Sequence, residues 1–337
     1  MHIRLSKIFA SVFFAVVVLT GLSATNVGAL STSSAQGVEI SPTLVNLNAV
    51  RGGVYNIKIK LRNVTASDLS YSTSVNDFDA ANETGSPHIV LENKLPATAS
   101  VTNWVDSIPQ FSLVSQASKT IEAKITIPSN AESGGHYGVL RFSGSSTSIN
   151  STGVGLTASA GVLLLIKVDG TITEKASLAS FFSANGEKQS FLFENSPINF
   201  VTRVQNSGNI HLNPTGDITI QDMFGNVVST LAVNEDESNI LPNSIRKFTT
   251  QYNGSWMIGR YTANLALGYG TKGQALTNTI SFWVIPYKVI LIGLFVIVTL
   301  VFVFRSLIKV YNRRIIEKSR NETKNNKISK EKRKSKK

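Results

Sequence analysis

Not one of the 337 residues is a cysteine, so disulfides, thiolate metal ligands and thiol nucleophiles are all excluded. Histidine is nearly as scarce. His2, His88, His136 and His211 stand singly, with no His-x-x-x-His spacing, which leaves a tetrahedral zinc site without a ligand set. Two acidic clusters, Asp77-Phe78-Asp79 and Glu235-Asp236-Glu237, lack the Asp-x-Asp-x-Asp-Gly register of a dedicated calcium loop and read as solvated turns. No Gly-x-Ser-x-Gly elbow is present, and the Gly-Ser and Gly-Gly pairs stand in strand-like surroundings with no helix to follow. A carboxylate pair for glycoside cleavage leaves no mark in a sequence, because its separation is spatial. Trp104 and Trp256 could stack on a sugar, but each sits beside a strand start, where packing is the commoner use. The expectation is a protein without catalytic residues, metal or cofactor, not an enzyme, whose ligand-binding residues are unknown.

Helical periodicity is also missing: no ten-residue stretch before Val284 repeats at 3.6. What is there alternates. In Val54–Asn63 the residues Ile57, Ile59 and Leu61 interleave with Lys58, Lys60 and Arg62, one face dry and one wet. Residues 121–128 repeat the device, with Ile121, Ala123, Ile125 and Ile127 inward, and Pro128 ends the pairing. Residues 137–142 and 162–168 add two strands, the latter apolar on both faces and so expected to be central, joined by a long connection rich in Ser, Gly and Thr at 143–159. After Asp169-Gly170 a second series runs through 191–194, 199–206, 217–221, 227–233, 246–252, 261–269 and 280–284, with turns at Phe224-Gly225-Asn226 and Leu241-Pro242-Asn243-Ser244.

The two series resemble each other. Leu61-Arg62-Asn63, Ser118-Lys119-Thr120-Ile121 and Gly135-His136-Tyr137 in the first are matched by Val204-Gln205-Asn206, Ser244 to Phe248 and Gly259-Arg260-Tyr261 in the second. The expected fold is all-β: two tandem immunoglobulin-like β-sandwiches, at 36–170 and 171–284, followed by one transmembrane helix.

That helix is expected at 285–308. Counting back from Phe304 to Phe282 gives 23 residues with Lys288 as the only charge. At ~1.5 Å per residue this is ~34 Å, enough for a ~30 Å hydrocarbon layer. Trp283 and Tyr287 stand where interfacial aromatics belong, and Lys288 is close enough to the end to snorkel. Beyond Phe304 come 14 Lys and Arg against three Glu, nearly the whole net charge of +12. The charge asymmetry puts the tail, 309–337, in the cytoplasm and the sandwiches outside a cell membrane crossed once. Residues 31–287 hold 16 basic against 18 acidic residues, so the basic balance does not point to nucleic acid. At the other end residues 1–29 show a basic start, an apolar stretch and small residues, the plan of a secretory signal peptide, with cleavage after Ala24, Ala29 or Ala35. An uncleaved N-terminal anchor is the alternative.

Pro128-Ser-Asn-Ala131-Glu-Ser-Gly134-Gly135-His-Tyr137-Gly138 through Phe142 resembles the run in the first extracellular domain of WxL-interacting proteins of Gram-positive bacteria. Leu241-Pro-Asn-Ser244 through Phe248, with Gly259-Arg-Tyr261, is similar to marks of their second domain. The resemblance spans nearly the whole chain, with departures at Val38 to Pro42 and at Arg51-Gly52-Gly53. It implies a peptidoglycan-binding first domain, a second domain that binds host or partner proteins, and WxL-motif wall proteins as neighbours. The leading expectation is a surface-anchored binding protein for cell-wall glycan or surface proteins. The alternative is a membrane-tethered assembly factor or chaperone for exported surface proteins. A chaperone needs a free strand edge, and the charges of Val54–Asn63 and 121–128 read as edge-blocking, which favours the binding protein.

Overall fold

A computed structural model describes residues 37–92, 95–146, 157–254 and 257–334. The signal-peptide expectation at 1–29 and residue Trp256 fall outside the described residues. The chain is mostly β-sheet and ends in one long apolar helix.

Residues 38–168 build two sheets. In the smaller, β1 (Val38–Ser41), β3 (Val54–Asn63) and β7 (Ser118–Thr126) lie in the order β1-β3-β7. In the larger, β2 (Leu44–Ala49), β9 (Thr157–Val168), β8 (Gly134–Ser146), β4 (Leu69–Ala80) and β5 (Pro87–Val90) follow in that order, and β6 (Phe111–Leu113) pairs with β4. The alternation in β3 and β7 has the register read from the sequence: Ile59, Leu61, Ile121, Ala123, Ile125 and Ile127 are buried while the lysines face water. Between the sheets these meet Leu140, Phe142, Leu164 and Ile166 in one core. The chain changes sheets between β1 and β2.

Residues 176–284 repeat the plan with a separate core. One sheet is β11 (Lys188–Gln189), β10 (Ala176–Asn185), β13 (Ile198–Asn206) and β16 (Ser244–Tyr252). The other is β12 (Leu192–Phe193), β18 (Gln274–Val284), β17 (Gly259–Tyr269), β14 (Thr215–Gln221) and β15 (Val227–Val233).

One corner recurs in both halves. The buried Asn63 at the end of β3 donates from its amide to the Ser67 and Leu113 carbonyls, while its oxygen accepts from Thr65 N–H. Asn206 at the end of β13 donates to the Ile210 and Ile240 carbonyls and accepts from Gly208 N–H. In each case the partners are two residues on, four residues on and in a segment distant along the chain. The amide thereby satisfies carbonyls that a departing strand would leave bare.

After β18, Pro286 precedes the first helical residue, where its missing N–H costs nothing. The helix α1 (Tyr287–Lys334) runs unbroken for 48 residues, so the basic segment expected as a tail continues the helix. Its Tyr287–Thr323 stretch is long and apolar enough to cross a membrane and is not buried against the rest of the chain. Lys288, read as a snorkelling residue, instead places its Nζ 2.7 Å from Glu194, which follows directly on β12.

Candidate functional site: free strand edges and the junction

Every sandwich has edge strands, and what they carry decides what can pair with them. β3, whose lysines were read as blocking an edge, is paired along its length with β7, but β1 covers only Lys60 to Asn63 on its other side. Among the described residues no strand lies beside the outer side of 54–59, where Lys58 sits as a charge on an open stretch, whereas Lys60 lies between two strands. β7 is an edge strand. Lys119, Glu122 and Lys124 line it, and its end is covered where Asp106 N–H donates to the Lys124 carbonyl and Thr126 N–H to that of Trp104.

The uncharged free edges lie elsewhere. β9 pairs with β8 along its whole length, but β2 covers only its second half, starting at Leu44 opposite Leu163. Among the described residues no strand pairs with the outer side of 157–162, and Thr157-Ala-Ser-Ala-Gly-Val162 contains neither charge nor proline. β18 is the counterpart in the second half. β12 covers only Trp283 and Val284, and the outer side of 274–282, which is also uncharged and proline-free, has no strand beside it among the described residues. Both are last strands of their halves. Edges of this composition invite strand addition, since charge and proline are the usual deterrents.

The second feature is the junction between the halves. The β4 to β5 turn carries Glu83 to the second half, where it pairs with Arg203 on β13 through two parallel hydrogen bonds. Lys247 N–H donates to the Glu83 carbonyl at 2.7 Å. The Arg203 guanidinium holds the Glu83 carboxyl below the usual carboxylate range. Gly85, at φ 79°, lets the turn pass against the Arg246 guanidinium, and a side chain there would collide with it. On the other side Gly135 N–H donates to the Asn209 carbonyl at 2.7 Å, and any Cβ on Gly134 would press on that same oxygen. The glycine pair of the sequence mark is thus a close-approach point for the second half. Phe78, Val139 and Leu165, with Leu241 from the second half, form a small apolar cluster beneath. This is why β9 is apolar on both faces: Leu164 and Ile166 face the core, and Leu165 faces the junction. His211 meets Tyr137 here, the rings 5.8 Å apart edge to face. Burial, with the Lys167 charge adding to it, pushes the His211 imidazole down to about 4, and burial pushes the Tyr137 phenol up.

The residues weighed for chemistry do not converge. Asp77 accepts from the Ser100 hydroxyl at 2.6 Å and from Val101 N–H at 2.8 Å, a buried carboxylate that ties a 3-10 turn to β4. Asp79 lies two residues on and bonds His88 at the surface. His136 is buried between the Ala99 and Glu132 carbonyls, against Trp104. Trp104 itself is 1% exposed and donates to the Ala97 carbonyl, so it offers no face to a sugar. No group of three metal-binding side chains occurs among the described residues. A cavity of about 390 Å³ lies beside the junction, lined by Glu83, Arg203, Lys247, Phe182 and Asn199 among others.

No family model and no curated protein matches the sequence. Among solved structures, the class 5 fimbriae chaperone CfaA is similar at a TM-score of 0.38 and 15% identity, covering 72% of this chain and 98% of the other. The E. coli chaperone DraB gives 0.34 and 13%, covering 73% and 96%. The Pseudomonas aeruginosa chaperone CupB2 gives 0.32 and 10%, covering 73% and 100%. With TM-scores below 0.5 these likenesses bear on neither the ligand nor the partner of this chain.

Proposed function

We propose that this protein is a membrane-tethered assembly factor, a chaperone that receives exported surface proteins by adding one of their strands to its own sheets. The carrying observation is the pair of uncharged, proline-free edges on β9 and β18. Strand addition satisfies main-chain groups on both partners and tolerates varied side chains, which suits a factor handling several clients. In this reading the two sheet pairs are tandem immunoglobulin-like domains and α1 is a single-pass anchor. The basic residues after Phe304 hold the far end of α1 in the cytoplasm, and residues 37–284 work outside. The small, adaptable edge and the absence of any converging acid, base or nucleophile among the described residues fit a non-enzymatic role.

The resemblance to WxL-interacting proteins belongs to the same proposal and implies WxL-motif proteins or peptidoglycan as partners. Its glycine mark supports the packing of the two halves more than a wall ligand, since Gly134 and Gly135 serve the junction.

The test places a photo-cross-linking residue at Ser159 or Thr277 in the full chain expressed in its membrane. Adducts with exported proteins are expected at both positions, and Lys at the neighbouring edge position should suppress them. Adducts with wall glycan alone would favour the surface-binding reading. Absence of adducts at both edges while the chain sediments with purified wall would overturn the assembly reading.

A further inference from the structure

Exposed apolar side chains are scattered over the first half, but in the second they gather at one end. The strand registers show that this end is one level. Gln221 stands opposite Thr262 and Gly259 opposite Val284, so the turn from β14 to β15 at 222–226 reaches the row where β18 finishes. Met223 fills the space that a side chain on Gly259 would take. On the other flank Leu192 stands opposite Trp283, and the Phe191 carbonyl accepts from Trp283 N–H at 2.7 Å. The sheet order places β12 on one side of β18 and β14 two strands away on the other, a span of about 14 Å at ~4.8 Å per strand.

At this level Phe224 is 82% exposed and Phe191 74% exposed, with Leu192, Met223, Ile258 and Ile285 between 36% and 56%. Large apolar groups so bare, and grouped, mark a contact surface. Most of the turn's N–H groups are met within it. Asp222 accepts from Phe224 and Asn226 N–H and from the Asn226 side chain, Gly225 N–H donates to the Asp222 carbonyl, and Asp222 N–H donates to that of Asn226. From the same row the chain passes through Ile285 and Pro286 into α1.

We propose that this end of the second half docks on the outer lipid leaflet, with Phe224 and Phe191 set into the headgroup region on opposite flanks of the helix. The occupant is a bilayer because α1 begins within a few residues of the row, so any membrane that takes the helix lies against these side chains. The inference rests on the anchor reading of α1. It adds a second, peripheral attachment that fixes how the sheets stand on the surface.

The cysteine-free sequence allows the test. Single cysteines replace Phe224, Phe191, Ile297 or Lys272 in the full chain, each labelled with a polarity-sensitive fluorophore and reconstituted in phosphatidylethanolamine and phosphatidylglycerol vesicles. Lys272, in the turn at the opposite end of β18, lies ~33 Å up the strand and serves as the aqueous control. The expected result is that the Phe224→Cys and Phe191→Cys probes lose most of their emission to headgroup-level spin-labelled lipid and resist aqueous iodide. Lys272→Cys should show the reverse, and Ile297→Cys should be quenched only by deep labels. If Ile297→Cys is quenched by deep labels but Phe224→Cys and Phe191→Cys respond to iodide alone, docking is overturned and the anchor stands. If Ile297→Cys escapes the deep labels, the anchor fails and docking with it. Protection from iodide at 224 and 191 without lipid quenching would overturn docking in favour of a protein contact.

Discussion

The two halves share a frame and differ in what they do with its surface. Asn63 and Asn206 make the same three kinds of hydrogen bond at the same corner, and the final strand of each half leaves an edge free. Yet the first half turns one sheet face onto its neighbour and keeps its exposed apolar residues dispersed. The second collects them where the helix leaves. Residues that hold the frame are repeated, and residues that meet something else are not.

The sharpest way to break this comparison is to destroy one frame and watch the other. Ile125→Lys places a charge on a wholly buried position of the first core, an effect of about 5 kcal/mol. The first half should unfold. A second-half melting transition that persists shows two independent units, whereas simultaneous loss shows that the junction makes them one. Ile59→Lys should behave alike.

Next in size are the corner residues. Asn206→Ala strips two buried carbonyls of their donor, and Asn63→Ala one buried and one part-buried carbonyl, at about 2 to 3 kcal/mol each. Denaturant midpoints that drop equally support equivalence of the two corners. A drop in only one would end it.

The pH dependence reads the junction. Because His211 is pushed from 6.5 down to about 4, the unfolded chain binds its proton more readily than the folded chain. The contribution of the neutral imidazole is complete above 6.5 and is lost as pH falls toward 4, roughly 2 to 3 kcal/mol in all. His211→Gln should flatten the slope of stability between these values, as followed by thermal melts across pH.

The smallest effect is expected at Glu83. With its pKa lowered, its contribution is present above the ordinary carboxylate range and disappears as pH falls through the folded value. Both side chains of the pair are about one-third exposed, so Arg203→Gln should cost only about 1 kcal/mol. Its clearer signature is a broader distribution of distances between labels placed on the two halves.

The sequence shows much of this frame and little of the surface chemistry. β3 and β7 are legible because strict alternation marks one wet and one dry face, and β13 and β15 because β-branched residues run between turn signals. β4 and β10 are not. The first is rich in Ser and Asp, and a register shift between Leu178 and Ser180 breaks the period of the second. Edges elude a one-dimensional reading altogether, since Lys60, opposite Ser41, and Lys58, beyond the end of β1, look the same in the sequence. The junction is hidden for a similar reason: Glu83 and Arg203 are 120 residues apart, and no local pattern announces their meeting.

The unbroken helix has mechanical meaning. Forty-eight residues at ~1.5 Å each make a rod of ~72 Å, of which a bilayer of ~30 Å takes less than half. Lys288 pairs with Glu194 where the rod leaves the sheets, a contact that joins the two at that point. If the sheets tip by ~10°, the far end of the rod sweeps ~12 Å, carrying its positive charges along that arc. A small tilt at the sheets is thereby a large displacement at the far end of the rod.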